Sequence, residues 1–366
     1  MRILVAPDKF AGTLSAVEAA EAVVAGWRRH APGDELTCLP MSDGGPGFVH
    51  ALGSSFDGEL LSVSATGPYG ARVPATVLMD GKTAYIESAQ ACGLHLTPPD
   101  QRDPERATTF GVGELIGVAV DSGAQRVVVG LGGSATNDGG AGMLAALGAE
   151  AAADLRSGAS GLAGLGEDSH VDLTQARRRL ADVTLVAASD VDNPLLGLRG
   201  AINVFGPQKG ITDERKPAVD GLLERLARAT DRSVADKPGA GAAGGLGFAI
   251  LLLGGSREPG VELIAEALGL AEWCSAVDLV LTGEGAFDHS SRGGKVVYGV
   301  AQAAGAAARP CVVLAGRVDI GSRESRALGV EQAYSLSDRV GQQQAMADPA
   351  GSLADLAEHV AGQWRW

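Results

Sequence analysis

Short apolar runs that each end in a polar loop recur along the chain, and this pattern constrains the fold more than any other feature of the sequence. Ile3–Ala6 ends at Pro7-Asp8, and Leu36–Met41 ends at a loop that begins with Ser42. Between them, Ser15–Arg29 has apolar residues at helical spacing. Because the carboxyl ends of parallel strands lie at one edge of a sheet, we expect these loops to lie together.

The pattern changes in the middle of the chain and returns towards its end. Alternating stretches between about residues 58 and 96 predict antiparallel hairpins, and the strand Arg126–Leu131 and a helix at Asn137–Leu147 then resume the βα order. In the last quarter, apolar runs at 279–281, 311–314 and 332–335 alternate with a helix at 295–304. The sequence therefore predicts an α/β protein with a discontinuous first domain, residues 1–65 and 278–366, around an inserted mixed α/β domain, residues 66–277.

Composition limits the partners of the chain. The 366 residues have a net charge of -14, which repels nucleic acids and anionic lipid surfaces. No apolar run is long enough to cross a bilayer, and the N-terminus enters a strand without the apolar core of a signal peptide. We therefore expect a cytoplasmic protein with small-molecule partners, no nucleic acid and no membrane partner; a homo-oligomer remains open.

A glycine-rich turn between Arg126–Leu131 and the next helix is the most distinctive motif. Glycines let an anion approach the backbone, and N–H groups at a helix start point towards it, so such turns bind phosphate. The candidate binding residues are Gly132, Gly133, Ser134, Thr136, Asn137 and Asp138. Two alternatives stay open. The segment also fits a dinucleotide fingerprint with Glu150 as the ribose contact, and it fits a tight turn that merely needs small residues.

Two further segments carry charged side chains after a strand or on a turn. Asp190, Asp192 and Asn193 follow the strand Val183–Ala188, where carboxylates could accept a hydroxyl proton or hold Mg²⁺. We assign Asp190 to catalysis, Asp192 to metal and Asn193 to substrate; capping and turn formation is the alternative. Lys209, predicted on the turn Gly206–Gly210, could neutralise phosphate or a substrate carboxylate.

A third loop, Thr282–Lys295, combines several groups that suit phosphate and metal. Glu284 and Asp288 are candidate metal ligands, Ser291 could donate to an anion, and Lys295 is a candidate catalytic residue facing phosphate. Lys9 and Asp43, in the loops after the first two strands, would join them at the same sheet edge. Together these loops favour metal-assisted phosphoryl transfer in the cleft between the domains.

The same residues resemble a known family. The motifs lie in one order along nearly the whole chain: Ala6-Pro7-Asp8 with Leu14-Ser15-Ala16, Ser42-Asp43-Gly44-Gly45, Ala65-Thr66-Gly67-Pro68, Gly132–Gly139, Asp190–Leu195, Gly206–Gly210 and Thr282–Gly285. In them the chain resembles the glycerate kinases of the bacterial type, which lack a P-loop. The resemblance implies a flavodoxin-like domain around a second α/β domain, ATP and Mg²⁺ as cofactors, and D-glycerate as substrate with 2-phosphoglycerate the usual product.

The chain departs from the family pattern at four positions. Family members often have Glu at the position of Pro46, Lys at Ala11, Arg at Ala286 and Gln at Ser290. Lys9 lies two positions before Ala11 and could replace that lysine, whereas the sequence shows no replacement near Pro46 or Ala286. These departures leave two readings open: another small hydroxy acid as substrate, and a weakened paralogue that only binds glycerate or nucleotide. A nucleotide-dependent dehydrogenase is a further alternative.

Overall fold

The chain divides into two compact units in a computed structural model that describes residues 1–289 and 295–364. The first unit comprises Met1–Asp43, His50–Phe56 and Pro259–Trp366, and the second comprises Gly44–Val49 and Asp57–Glu258. The bounds differ from the predicted domains. Residues 57–65 lie in the second unit because they pair with its sheet, and residues 259–277 lie in the first unit.

The strands of the described residues are, in chain order, β1 (Arg2–Val5), β2 (Glu35–Cys38), β3 (Glu59–Thr66), β4 (Arg72–Asp80), β5 (Thr83–Glu87), β6 (Arg126–Gly130), β7 (Thr184–Ala188), β8 (Ser256–Glu258), β9 (Leu279–Thr282), β10 (Ala286–Phe287), β11 (Cys311–Ala315), β12 (Arg317–Val318) and β13 (Gln332–Ser335). The helices are α1 (Ala16–His30), α2 (Phe48–Gly53), α3 (Ala89–Cys92), α4 (Phe110–Asp121), α5 (Ala141–Ala146), α6 (Gly158–Gly161), α7 (Thr174–Arg179), α8 (Ala201–Lys209), α9 (Lys216–Ala229), α10 (Leu246–Leu252), α11 (Gly260–Ala267), α12 (Leu270–Ala276), α13 (Val296–Ala306), α14 (Ser322–Ala327), α15 (Leu336–Val340), α16 (Gln342–Ala347) and α17 (Pro349–Gln363). No helix in these described ranges is both long and apolar enough to cross a membrane.

The first unit is built on a five-stranded parallel sheet with the order β2-β1-β9-β11-β13. Numbered by their place in this sheet, the strands follow the order 2-1-3-4-5 of flavodoxin-like folds. The α/β class and the flavodoxin-like parallel sheet are thus confirmed. In such a sheet, ligands bind at the carboxyl edge between β1 and its neighbour, here β9, where the strand order reverses.

Helices α1 and α17 pack closely against each other in the first unit. Ser15 and Glu18 form the capping box that their spacing predicts at the start of α1. A Cβ atom at Gly26 would overlap the carbonyl oxygen of Ala354, so only glycine allows the two helix backbones to approach this closely. Trp27 is fully buried and donates its indole N–H to Asp34 over 2.9 Å.

The second unit has a six-stranded mixed sheet in the order β3-β4-β5-β6-β7-β8. Its first three strands are antiparallel, as the alternating pattern predicts, and β5 to β8 are parallel. The helix predicted from Asn137 begins instead at Ala141. Gly139 and Gly140 have φ angles of 65° and 75°, which are not helical, and so delay its start.

Candidate active site

The loops that follow β1 and β9 line a cavity in the first unit. The backbone N–H of Asp8 donates to the carbonyl of Gly283 over 2.8 Å, and the hydroxyl of Thr282 donates to the carbonyl of Ala6 over 2.8 Å. These bonds hold the two loops side by side at the edge where the strand order reverses. The cavity above them has a volume of about 470 Å³. Asp8, Lys9, Asp43, Glu284 and Lys295 all line it.

Lys9 lies between two carboxylates in this cavity. Its ammonium is 3.1 Å from Asp43 Oδ1 and 3.6 Å from Asp8 Oδ1. The pKa of Asp8 is raised to about 6, mainly by burial; the charge of Lys9 opposes the rise, and the negative charge of Asp43 adds to it. Burial alone would lower the pKa of Lys9, but Asp8 and Asp43 hold it above its usual value. The predicted pair Lys9 and Asp43 is therefore brought together in one ionic cluster.

A second ionic cluster in the same unit joins Glu284, Asp288 and Lys295. The Lys295 ammonium lies 3.8 Å from Glu284 Oε2 and 3.9 Å from Asp288 Oδ1. Glu284 is buried and Asp288 is partly exposed. The structure thus gathers both carboxylates that the sequence predicts as first-unit metal ligands. Ser291, the predicted anion donor of this loop, lies outside the described residues.

The donors of this cluster fit Mg²⁺. The ion takes oxygen ligands and commonly uses one or two carboxylates together with water and substrate phosphates. Glu284 and Asp288 offer two carboxylates that one cation can serve, since a single ammonium lies within 4 Å of both. Across residues 1–289 and 295–364 no group of three or more His, Cys, Asp or Glu side chains could hold a metal. Phosphate oxygens or water would have to complete the coordination.

The glycine-rich turn of the second unit is packed rather than open. Thr136, Asn137 and Asp138 are fully buried, and Ser134 is 5% exposed. The carboxylate of Asp138 accepts hydrogen bonds from the backbone and hydroxyl of Thr109 and from the N–H groups of Gly140 and Gly142, over 2.8 to 3.2 Å. Burial raises its pKa, although these bonds oppose the rise. The observed contacts of Asp138 therefore hold the turn against α4 and α5.

The other residues predicted in this turn also contact protein. Positions Gly132 and Gly133 lie against Gly45 and Pro46 of the same unit. Asn137 donates its side-chain N–H to Pro104, while its Oδ1 atom is buried without a hydrogen-bond partner. An unpartnered buried oxygen is costly, so a hydrogen-bond donor from a ligand or water would be favourable at this atom.

Lys209 lies in the last turn of α8, so the prediction of a glycine and proline turn was wrong about its backbone. Its side chain is 3% exposed, and its ammonium donates to the carbonyl of Thr136 over 2.7 Å. Burial lowers the pKa of Lys209 to about 8, while Cys92 and Asp138 act in the opposite direction. The lysine is directed into the second unit towards the glycine-rich turn.

The segment after β7 holds the remaining candidates, and each has different neighbours. Asp190 is half-buried. Asp192 is largely exposed and forms an ion pair of 2.5 Å with Arg257, so its carboxylate is already engaged by a cation. Asn193 donates its side-chain N–H to the carbonyl of Arg199 over 2.8 Å, which is the turn-forming role. Asp192 belongs to the second unit, whereas Glu284 and Asp288 belong to the first.

Comparison with known proteins gives a consistent result over almost the full chain. The model of the glycerate kinase family matches residues 3–365. The chain belongs to the glycerate kinase family. Glycerate kinase of Bacillus subtilis is 41% identical over 372 residues, covering 99% of this chain and 94% of the relative. Glycerate 2-kinase of Escherichia coli is 40% identical and covers 93% and 92%.

A solved structure shows that the fold is shared as well. The protein from Salmonella typhimurium LT2, provisionally named glycerate kinase 2, is 38% identical and superposes with a TM-score of 0.83. The match covers 99% of this chain and 98% of that one. The prediction of a kinase of this family is confirmed.

One residue that lines the first-unit cavity of this glycerate kinase family member was not predicted from the sequence. Arg317 pairs directly with Ala286 in the parallel pair β10 and β12, and both line the first-unit cavity. Its guanidinium, which forms an ion pair with Asp319, is 57% exposed. A cation therefore lies beside Ala286, where the sequence shows no replacement for the arginine of the family pattern. The available signal was its position directly after the strand Cys311–Ala315, at the same sheet edge.

Proposed function

We propose that this member of the glycerate kinase family transfers the γ-phosphoryl group of ATP to D-glycerate in a Mg²⁺-dependent reaction. The observation that carries the proposal is the first-unit cavity, where two lysines and buried carboxylates meet at the edge that binds ligands in this fold. The name of the Escherichia coli relative, glycerate 2-kinase, supports 2-phosphoglycerate as the product. The net charge of -14 supports small anions held locally by lysines rather than nucleic acid as partners.

The residues of the cavity suit the charge that develops during phosphoryl transfer. The ammonium groups of Lys9 and Lys295 would bind phosphate oxygens and stabilise the transition state, since the protein contributes mainly position and electrostatics in this reaction. Glu284 and Asp288 would hold Mg²⁺, which supplies further neutralisation of the phosphates when bound.

Asp190 is proposed as the base that accepts the proton of the substrate hydroxyl. General base catalysis contributes about 10²- to 10⁴-fold to a rate. We therefore expect Asp190→Asn to lower kcat by about 10³-fold and to leave the thermal unfolding midpoint nearly unchanged. Steady-state kinetics and calorimetry on the same preparation measure both quantities. A variant with near-normal kcat would remove Asp190 from the mechanism.

A coupled assay of ADP release tests the proposed reaction. D-glycerate, L-glycerate, glycolate and lactate are compared, each with Mg²⁺ and with EDTA, and phosphorus NMR identifies the phosphorylated hydroxyl. We expect turnover with D-glycerate and Mg²⁺, with the phosphate on the 2-hydroxyl. Turnover of none of the four acids would contradict the proposal.

A different small hydroxy acid is the second candidate substrate. Ala286 lines the cavity with a methyl group only, so the cavity can accept an acid with a larger substituent than glycerate. In the same assay, a higher kcat/KM for a larger 2-hydroxy acid than for D-glycerate would favour this candidate.

A further inference from the structure

The lining of the first-unit cavity is uneven in its chemistry. The charged groups come from the loops after β1, β2 and β9 and from Arg317 on β12. The part contributed by α15, α16 and the start of α17 has no charged side chain and consists of Leu336, Ser337, Gln342, Ala345, Met346 and Pro349. One ligand that fills the cavity would therefore contact ions with one part and neutral, mostly apolar surface with another.

Met346 is the exposed apolar residue of this neutral wall. Its side chain is 60% exposed, although Leu336 and Ala345 beside it in the cavity wall are buried. Covering exposed apolar surface is favourable, so the wall favours a ligand with an apolar face. The flexible, polarisable thioether of methionine packs well against flat aromatic rings.

The size of the cavity points the same way. Pockets of about 300 to 1,000 Å³ typically hold drug-sized ligands, and this one has about 470 Å³. A three-carbon acid would leave most of that volume empty. A nucleotide combines an aromatic base with a chain of phosphates, which matches the division of the lining.

We propose that the wall at residues 336–349 binds the base of the phosphoryl-donor nucleotide, with Met346 against the face of the ring, while Lys9 and Lys295 bind its phosphates. This inference rests on the proposed function, because it concerns the donor of the same reaction. It adds a base-binding surface that is separate in sequence from every motif of the chain.

Titration calorimetry of the full chain tests the base-binding wall with two probes, ADP and inorganic tripolyphosphate. Met346→Ser should raise the Kd of ADP about five- to tenfold, since it removes apolar contact with the ring. The Kd of tripolyphosphate, which has no base, should stay within twofold. Leu60→Ser is the matched control, because Leu60 is 55% exposed, similar to Met346, and does not line the cavity.

The outcomes separate this inference from the proposed reaction. Unchanged ADP affinity in Met346→Ser, an equal loss for tripolyphosphate, or no ADP binding by the wild type would overturn the base-binding wall. If the wild type binds ADP through Met346 but phosphorylates no hydroxy acid, the proposed reaction fails and the wall stands. If it phosphorylates D-glycerate and Met346→Ser has a normal KM for ATP, the wall fails alone.

An independent observation in the second unit concerns Arg257 on β8. Its Nη1 atom donates to the carbonyl of Ser189 over 2.8 Å, and its Nη2 atom lies 2.5 Å from Asp192 Oδ1. One guanidinium thus contacts a residue before Asp190, Ser189, and a residue after it, Asp192. The Ser189 hydroxyl in turn accepts a hydrogen bond from the backbone of Val191 over 3.2 Å.

We infer that Arg257 is a positioning residue that fixes the backbone around Asp190. Arg257 is only 22% exposed, and a planar guanidinium with two directed N–H groups holds geometry better than a lysine can. Small displacements of a reacting group cost large factors in rate, so the benefit would appear in kcat. The inference rests on the proposed role of Asp190.

We call the contacts of Arg257 with Ser189 and Asp192 the clamp, and variants of two arginines test it. Arg257→Met and Arg257→Lys should lower kcat about tenfold or more, with KM values within twofold, and Arg257→Met should speed hydrogen exchange of the Val191 amide. Arg126→Met is the control, since the guanidinium of Arg126 forms its ion pair of 2.7 Å with the neighbouring Glu258 rather than with Asp192. It should leave kcat and exchange at Val191 within twofold.

Two results would overturn the clamp: a normal kcat in Arg257→Met, or equal losses in Arg126→Met. Faster exchange at Val191 combined with no turnover by the wild type would leave the clamp as a purely structural contact and would contradict the proposed reaction separately.

Discussion

The first-unit cavity and the glycine-rich turn of the second unit contain the same residue types in opposite situations. In the cavity, Lys9 and Lys295 are partly exposed at 25% and 34% and line an open volume. In the turn, Lys209 and Asp138 are buried and have partners within the protein. The comparison teaches that a lysine or aspartate beside a glycine loop can either line a cavity open to solvent or be enclosed by partners within the protein, and that the sequence motif alone does not distinguish the two.

The largest expected effect is on catalysis through the cavity. We expect Lys295→Met to lower kcat/KM for ATP by about 10²- to 10³-fold, the range found when one charge-stabilising donor is removed from a transition state. Its free energy of unfolding should change by less than about 0.5 kcal/mol, as is usual for partly exposed side chains. Kinetics and urea unfolding measure the two quantities. A large loss of stability in Lys295→Met would contradict the difference drawn between the cavity lysines and the buried residues of the glycine-rich turn.

The second effect is on stability through the turn. Asp138→Ala should lower the free energy of unfolding by about 3 kcal/mol, because four donors of Thr109, Gly140 and Gly142 lose their acceptor inside the protein. Urea unfolding of the variant measures this loss. Unchanged stability together with abolished nucleotide binding would instead make Asp138 a ligand residue.

The third effect is the pH dependence that Asp8 introduces. Its pKa in the folded state is about 6, above the ordinary value of 3.8, so the folded state binds more protons between these values. The contribution of Asp8 to stability therefore falls as pH rises from about 4 to 6 and stays unfavourable above that. Asp8→Asn should be more stable than the wild type at pH 7, on the order of 2 kcal/mol, with no gain at pH 3. Thermal unfolding at both pH values measures the difference; an equal effect at the two would contradict it.

The smallest effect concerns Lys209, whose pKa is lowered to about 8 from 10.5. The unfolded state then binds more protons between pH 8 and 10.5, so this residue makes stability rise with pH in that window. Lys209→Met should change stability at pH 7 by only about 1 kcal/mol, because relief from burying a charge offsets the lost bond to Thr136. It should abolish the rise between pH 8 and 10.5. Urea unfolding between pH 8 and 10.5 measures the free energy of unfolding of Lys209→Met. Lys9→Met, at a lysine of the first-unit cavity, is the control.

The sequence predicted the first-unit sheet well because its signals are local. Each buried strand is an apolar run such as Ile3–Ala6 or Cys311–Leu314. Polar and glycine residues follow each of these runs and mark where the strand ends. The switch point between β1 and β9 then identifies the ligand edge, so Lys9, Glu284 and Lys295 were predictable as neighbours.

The remaining features depend on contacts that no local pattern records. The ion pair of Asp192 with Arg257 joins residues far apart in sequence, and the burial of Lys209 depends on where α8 packs. The late start of α5 follows from the left-handed backbone of Gly139 and Gly140, which a helical spacing of apolar residues cannot reveal. Tertiary packing, rather than propensity, decided each of these.

The position of β1 has a consequence for synthesis on the ribosome. This interior strand pairs on one side with β2, about thirty residues later, but on the other side with β9, where Ile3 pairs with Leu279. During synthesis, the edge of β1 that pairs with β9 therefore stays unpaired until most of the polypeptide has emerged. The continuous segment 57–258 is translated during that time, so the second unit can fold first and a chaperone that shields β-strand edges would be most useful to the earliest residues made.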